Sequence, residues 1–374
     1  MFPAELGLHE FLQILWYLLV AILLLGYFIL DGFDLGAGIL YPFVAKTEEE
    51  KAIVRQSVGP LWDGNEVWLL TGGGALFAAF APAYATSFSG FYLAIMLVLF
   101  GLIFRAIAIE YRGTDTKWRK FWDGAFFIGS FLPALLFGAA IGNIIGGIAI
   151  GDTLPLTGGP NLGSDYTGGF FALLNPFALL CAVMGLVAFI TQGAAWIALK
   201  APLDSVVRTR AIAARSILHI VELVVFVLVS LVAILFVVPT FAPERVAAVF
   251  AYVFAGIFIV GWVVTRLFIT KGNDLLSFLG VNVGPIALIG ITATSLFPYL
   301  IPAADNPSGV FTYFLLPGQD VAEKGLTLFN SGGSELALLA MTIITCIGLP
   351  LVLIYHVIIY RTFRGRVKVS EIEY

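Results

Sequence analysis

Apolar residues run in blocks of about twenty along most of this chain, with polar residues collected in the gaps between them. One such block, as a helix rising 1.5 Å per residue, spans the roughly 30 Å hydrocarbon core of a bilayer. Nine blocks predict nine spans, at about 11–30, 66–85, 89–109, 124–148, 175–199, 217–238, 247–270, 275–299 and 335–358. The block 66–85 is the least regular, because polar residues crowd its start. Most gaps are short, so consecutive spans should pack as antiparallel neighbours. Two gaps are longer: 150–174, rich in Gly, Thr and Pro, and 302–334, with an aromatic patch at 310–316. The pattern is that of an all-α polytopic membrane protein.

Composition agrees. The 374 residues are 60% apolar and 12% charged, where a soluble domain carries about a quarter charged residues. Mean hydropathy is +0.99. The net charge of −4 says little until the charges are sorted by side. Lys and Arg are retained on the cytoplasmic side of a membrane. Eighteen of the twenty fall in 42–63, in alternate connections after it, and in the C-terminal segment. The opposite side keeps Arg245 and Lys324. This asymmetry predicts an outside N-terminus and a cytoplasmic C-terminus, and it supports the count of nine. Cys181 and Cys346 lie inside apolar spans and make no redox argument. No basic region precedes the first apolar run, so no cleavable signal is expected. No nucleic-acid or polybasic lipid-binding signature is present.

Span one closes with DGFDLG at 31–36. A carboxylate near the bilayer centre costs roughly 2.5–3.5 kcal/mol, and Asp31 and Asp34, at i and i+3, share a helical face. Sorted by side, they lie in the inner half with WDGNEVW at 62–68 and with Arg105, a turn before the end of span three. An intramembrane Arg usually pairs with a carboxylate, so Arg105 should bind one of these acids. The remaining acids are candidates for a proton path. Structural readings stand beside this. Asp63 and Glu66 fit an N-cap and its third-position partner, and Asp34 fits a solvated helix end. The Gly72–Gly74 triplet lacks the Lys-Ser/Thr of a phosphate loop and reads as a close-packing face.

Later in the chain, His219 and Glu222 lie near the inner end of span six, Arg266 near that of span seven and His356 near that of span nine. The three histidines, His9 included, are too few and too scattered to argue for a haem held by this chain. No His/Cys/carboxylate cluster has metal-ligand spacing. A faint internal echo joins DGFD at 31–34 to QGAA at 192–195, with Gln192 and Ala195 at the positions of the aspartates. It predicts two four-helix units, 10–150 and 170–301, then the extracytoplasmic loop 302–334 and a ninth helix with a cytoplasmic tail, 335–374.

These residues resemble subunit II of the cytochrome bd quinol oxidases. The likeness is carried by DGFDLG at 31–36, WDGNEVW at 62–68, GGGALFAA at 72–79, SGFY at 89–92, FR at 104–105 and YR at 111–112. It continues through WRKFWD at 118–123, IGSFLP at 128–133, NPF at 175–177, TQG at 191–193 and RTR at 208–210. It is dense from about residue 10 to 215, and returns at SLFP (295–298) and LTLFN (326–330). The stretch 303–323 looks longer than the family's usual loop.

The resemblance implies a prokaryotic cytoplasmic-membrane complex that oxidises quinol and reduces dioxygen to water, in which this chain alone is not catalytic. It places the b-type and d-type haems and the quinol-oxidising loop in a partner, subunit I, and leaves room for a small single-helix subunit. It implies two four-helix bundles plus one peripheral helix. It further implies a cytoplasmic proton path through the position of Asp63, with Asp34 and Arg105 at matching positions. Trp68 matches a tryptophan near an apolar oxygen route, and some members hold a structural quinone in this subunit. The rival readings of the residues are a proton-coupled secondary transporter, which also wants buried carboxylates and repeats, and a purely structural assembly subunit.

Overall fold

The computed structural model describes residues 7–150, 166–237, 246–302 and 325–368. The aromatic patch at 310–316 and most of both long gaps lie outside the described residues. The first apolar block does not end where its hydrocarbon ends. Helix α1 (Leu8–Leu30) runs into α2 (Gly32–Val44) through Asp31. The Asp31 N–H donates to the Tyr27 carbonyl at 2.8 Å, and the Asp31 carbonyl accepts from Leu35 at 2.9 Å. The ladder is unbroken, and Leu8–Val44 forms one 37-residue helical stretch. The expected helix exit, with Asp34 solvated at its end, is therefore overturned: Asp31 and Asp34 are both buried. The cause is the small-residue run that follows, which packs against a neighbouring helix instead of forming a loop.

That neighbour is α8 (Pro176–Lys200), and the two helices meet backbone to backbone. A methyl group placed on Gly36 would lie 1.8 Å from the Phe189 carbonyl oxygen, and one on Gly193 would lie 2.2 Å from the Gly36 carbonyl carbon. Only glycine fits at this crossing. Inside a bilayer the hydrophobic effect gives helices little reason to associate, so close packing and hydrogen bonds carry the contact. Gln192, beside it, donates to the Phe28 carbonyl at 3.1 Å and to Asn282 Oδ1 at 2.7 Å.

Between these lie α3 (Glu48–Val58), α4 (Trp62–Ala79), α5 (Ala81–Gly90), α6 (Tyr92–Tyr111) and α7 (Arg119–Gly146). After α8 come α9 (Val206–Val232), α10 (Val246–Thr270), α11 (Asp274–Val281), α12 (Val283–Leu296) and α13 (Glu335–Thr362). Thr47, Asn175, Ser205, Asn273 and Ser334 start their helices by accepting a backbone N–H two or three residues into the first turn. The α4 helix has no such cap. Leu61 occupies its N-cap position and no side chain bonds there, so the capping reading of Asp63 and Glu66 is overturned. Two short strands, Tyr299–Pro302 and Gly325–Thr327, pair antiparallel beside the end of α12.

Eight helical stretches among the described residues are long and apolar enough to cross a membrane. The expected span 66–85 is not one of them. It is divided between α4 and α5 at Phe80, whose backbone (φ −138°, ψ 57°) leaves the helical region, and Pro82 stands in the first turn of α5. Of the glycine triplet, Gly72 packs on Leu24 of α1 while Gly73 and Gly74 face open space. The last helix is peripheral, packed on α1 and α4 with most of its surface exposed. Trp16 Nε1 pins its start through the Leu338 carbonyl and Thr342 Oγ1, at 3.1 and 3.0 Å.

Outside the spans, Arg112 ties α3 to the ends of α6 and α7. Its Nη1 and Nη2 donate to Glu48 Oε2 and Oε1 at 2.7 and 3.0 Å, and its Nε donates to Asp123 Oδ1 at 2.8 Å. The hydrogen bond from Arg112 holds the Glu48 carboxyl below its ordinary value of 4.5.

Overpacking at the α2–α8 crossing, where backbone rather than a flexible side chain must move, costs about 1–3 kcal/mol or more. We expect Gly193→Ala to lower the melting temperature of the detergent-solubilised protein, and Gly256→Ala, which meets nothing within 4 Å, to leave it unchanged. A carboxyl lowered by folding stabilises the fold above its unfolded value, and that contribution is lost as the pH falls through the folded value. The difference in melting temperature between wild type and Glu48→Gln should therefore be constant above about pH 5 and close as the pH falls below 4.5.

Candidate functional site

The long α1–α2 stretch carries its two aspartates into the packed interior, where α4 and α6 meet them. Arg105, on α6, is 0% exposed and donates from Nη2 to Asp31 Oδ1 at 2.8 Å and to Glu66 Oε1 on α4. The guanidinium is thus held by acids from two other helices. Among the described residues, its Nε and Nη1 have no hydrogen-bond partner, and neither do Asp31 Oδ2 and Asp34 Oδ1. Asn65 Nδ2, also on α4, donates to Asp34 Oδ2 at 2.7 Å. Three carboxyl groups therefore surround a single guanidinium among buried side chains.

The C-terminal half of α13 closes this cluster. Tyr360 donates its hydroxyl to Asn65 Oδ1 at 3.1 Å, extending the chain from Asp34 through Asn65 to the last helix. One turn earlier, Trp68 Nε1 donates to His356 Nε2 at 3.1 Å, and His356 Nδ1 lies 2.9 Å from the Val352 carbonyl. With Nε2 accepting from the indole, the hydrogen-bond network assigns the ring proton to Nδ1, which donates to Val352. Both ring nitrogens are engaged, so His356 does not fit an axial haem ligand. His219 is elsewhere, stacked on Trp262 with ring centroids 4.9 Å apart. Among the described residues, no group of three or more His, Cys, Asp and Glu side chains is placed to hold a metal.

Of the residues singled out in the sequence, Asp31, Asp34, Glu66 and Arg105 come together. Asp63 does not join them within this chain. It is exposed on α4, and among the described residues it makes no hydrogen bond or ion pair. It heads an outward stripe that continues through Val67, Leu70 and Phe77, all apolar and exposed. Trp68 is buried on the other side of the same helix, against α1. Sequence reasoning passed over Asn65 and Tyr360 and treated His356 as isolated. Asn65 lay inside the WDGNEVW segment, between two residues that were chosen. Tyr360 gave no local signal, because its partner is 295 residues away.

A family model described as cytochrome bd terminal oxidase subunit II matches residues 12–363. Over 384 residues the chain is 34% identical to the cytochrome bd-I ubiquinol oxidase subunit 2 of Escherichia coli (strain K12), covering 98% of this chain and 97% of that one. It is also 34% identical over 391 residues to the probable cytochrome oxidase subunit 2 of Haemophilus influenzae, with coverage of 98% and 97%. Identity to the cytochrome bd ubiquinol oxidase subunit 2 of Bacillus subtilis (strain 168) is 31%, over 98% of each chain. Among solved structures, the bd oxidase from Geobacillus thermodenitrificans shares the fold, with a TM-score of 0.72 at 15% identity over 94% of this chain and 98% of that chain.

Removing one partner of a buried ion pair costs about 3–5 kcal/mol, because it strands the remaining charge. Arg105→Leu strands two, Asp31 and Glu66. We expect it to abolish accumulation of the chain in membranes, measured by quantitative immunoblot. Adding Asp31→Asn and Glu66→Gln to Arg105→Leu should restore much of that accumulation.

Proposed function

The chain belongs to the cytochrome bd terminal oxidase subunit II family, and from that membership we propose that its buried acids carry protons toward the oxygen-reducing centre of the complex. It is a subunit of a bd-type quinol oxidase, and a partner, subunit I, follows from that. The observation that supports the proton reading is a gradation in depth. Asp63 is exposed, the Glu66 side chain is 23% exposed, and Arg105, Asp31 and Asp34 are fully buried. Asp63 and Glu66 lie at i and i+3 on one face of α4, so a proton taken up at the surface is one helical turn from the buried cluster. Within the cluster the acids outnumber the cation three to one. That surplus provides sites among which a proton moves while Arg105 fixes the geometry.

In this reading subunit I covers the outward stripe of α4 and the exposed face of α13, and Asp63 delivers protons across that interface. The b-type and d-type haems reside in subunit I and supply the redox chemistry there. Residues of this chain position, neutralise and exchange protons. The N-terminus lies outside and the C-terminus in the cytoplasm, as the basic residues require. Helices α1–α7 and α8–α12 form two related four-helix units that meet at the Gly36–Gly193 crossing. The indole of Trp68, buried at the α1–α4 contact, borders an apolar route for dioxygen. A structural quinone and a small single-helix subunit belong to the same assembly.

A purely structural role is the second reading, and one observation favours it: Asp31 and Glu66 both bind Arg105 directly. Asp63→Asn separates the two, because Asp63 makes no hydrogen bond or ion pair among the described residues. We expect oxygen consumption by the assembled oxidase to fall by roughly tenfold or more, with haem content, read from the reduced-minus-oxidised spectrum, unchanged. Wild-type turnover at wild-type haem content would remove Asp63 from the proton path. Loss of haem together with activity would make the residue structural.

A further inference from the structure

Helix α9 carries a second set of buried polar groups that the reading above does not use. Arg215, His219 and Glu222 recur at i, i+4 and i+7 and so share one face. They are 0%, 2% and 3% exposed, while Ile217, Val221 and Val224 on the opposite side are exposed. Burial of polar groups requires partners, and here the partners are missing. Arg215 Nη1 donates to Asp274 Oδ1 at 3.2 Å, but its Nε and Nη2 bind nothing. His219 Nδ1 has no partner, and Glu222 makes no hydrogen bond or ion pair among the described residues.

The last two of these groups border one small cavity, about 10 Å³, with Phe258, Trp262, Thr265 and Gly284 among its lining. That volume has room for about one water molecule. Glycine keeps it open: a methyl group on Gly284 would lie 2.9 Å from Glu222 Oε1. The Thr265 hydroxyl donates away to the Gly261 carbonyl at 2.7 Å and leaves its oxygen lone pairs free to accept. A water in the cavity would find three polar partners, Glu222, His219 and Thr265, within the range that ordered internal waters make.

We propose that Glu222, His219 and one ordered water form a buried proton-holding site in the second half of the chain, separate from the acids around Arg105. The charged and titratable groups on the elements packed around it include Arg215 and His219 on α9, Arg266 on α10, whose Nη1 is engaged by the Ser216 carbonyl at 2.9 Å, and Asp274 on α11. None of them bonds the Glu222 carboxyl, and α12 contributes none. An unpaired carboxylate buried there would be costly, so the acid form, with its proton supplied by water and no electron transferred, is the species the site holds. The site stands whether or not Asp63 conducts protons.

Two measurements on the intact oxidase test the proposal. A high-resolution map of the wild-type complex should show one water within hydrogen-bond distance of the Glu222 carboxyl and His219 Nδ1. An empty cavity, or a Glu222 paired to a residue of another subunit, would overturn it. Infrared spectra should contain the C=O stretch of a buried carboxylic acid that moves to lower frequency in D2O and is absent from Glu222→Gln. The same band in wild type and Glu222→Gln would overturn it equally. If Glu222→Gln does not assemble, as judged by its haem spectrum, Gly284→Ala replaces it: filling the water's space should shift the band, and an unshifted band counts against the site.

Discussion

A guanidinium with no exposure to solvent, held by acids from two other helices, is the interaction on which the first half of this molecule depends. Hydrocarbon offers no alternative partner to a buried charge, so helices that carry one must meet helices that answer it. Arg105 therefore determines which faces of α2, α4 and α6 turn inward, and Asp31 and Glu66 can satisfy it only from their present positions. Beside it, Asn65 and Tyr360 link the buried Asp34 to α13. Side-chain chemistry, more than apolar area, specifies how these helices are arranged.

The contact between the halves has the opposite character. Gly36 and Gly193 bring two backbones together with no side chain between them, and the adjacent Gln192 bonds both α1 and Asn282. The charged cluster and this dry crossing lie on successive turns of α2. One helix therefore carries both the polar specification of the first half and the close packing that joins it to the second.

Much of this was legible in the sequence where the physics is local. Hydropathy blocks located most of the helices, and the intramembrane Arg105 implied a carboxylate partner before any coordinates. The errors came where local and tertiary preferences disagree. The DGFDLGAG run reads as the polar end of span one, yet its glycines are the packing surface along which the helix continues. Asp63 and Glu66 have the spacing of a cap, but the helix begins at Trp62, one residue before Asp63, so the spacing serves depth instead. Span 66–85 broke at Phe80, two residues before Pro82, a helix-start signal that its apolar surroundings concealed. The Trp68–His356 and Asn65–Tyr360 bonds join residues nearly 300 positions apart, and no periodicity reports a pairing of that range.

The attachment of the last helix has a consequence for biogenesis. Helix α13 follows α1, α2 and α4 in the chain, and its C-terminal half is held on them through two bonds: Tyr360 to Asn65, which itself binds Asp34, and Trp68 to His356. An Asp34 that has not reached the interior leaves the Asn65 amide unoriented and removes one of these two holds. Docking of the peripheral helix thus senses whether the buried acid beneath it is in place.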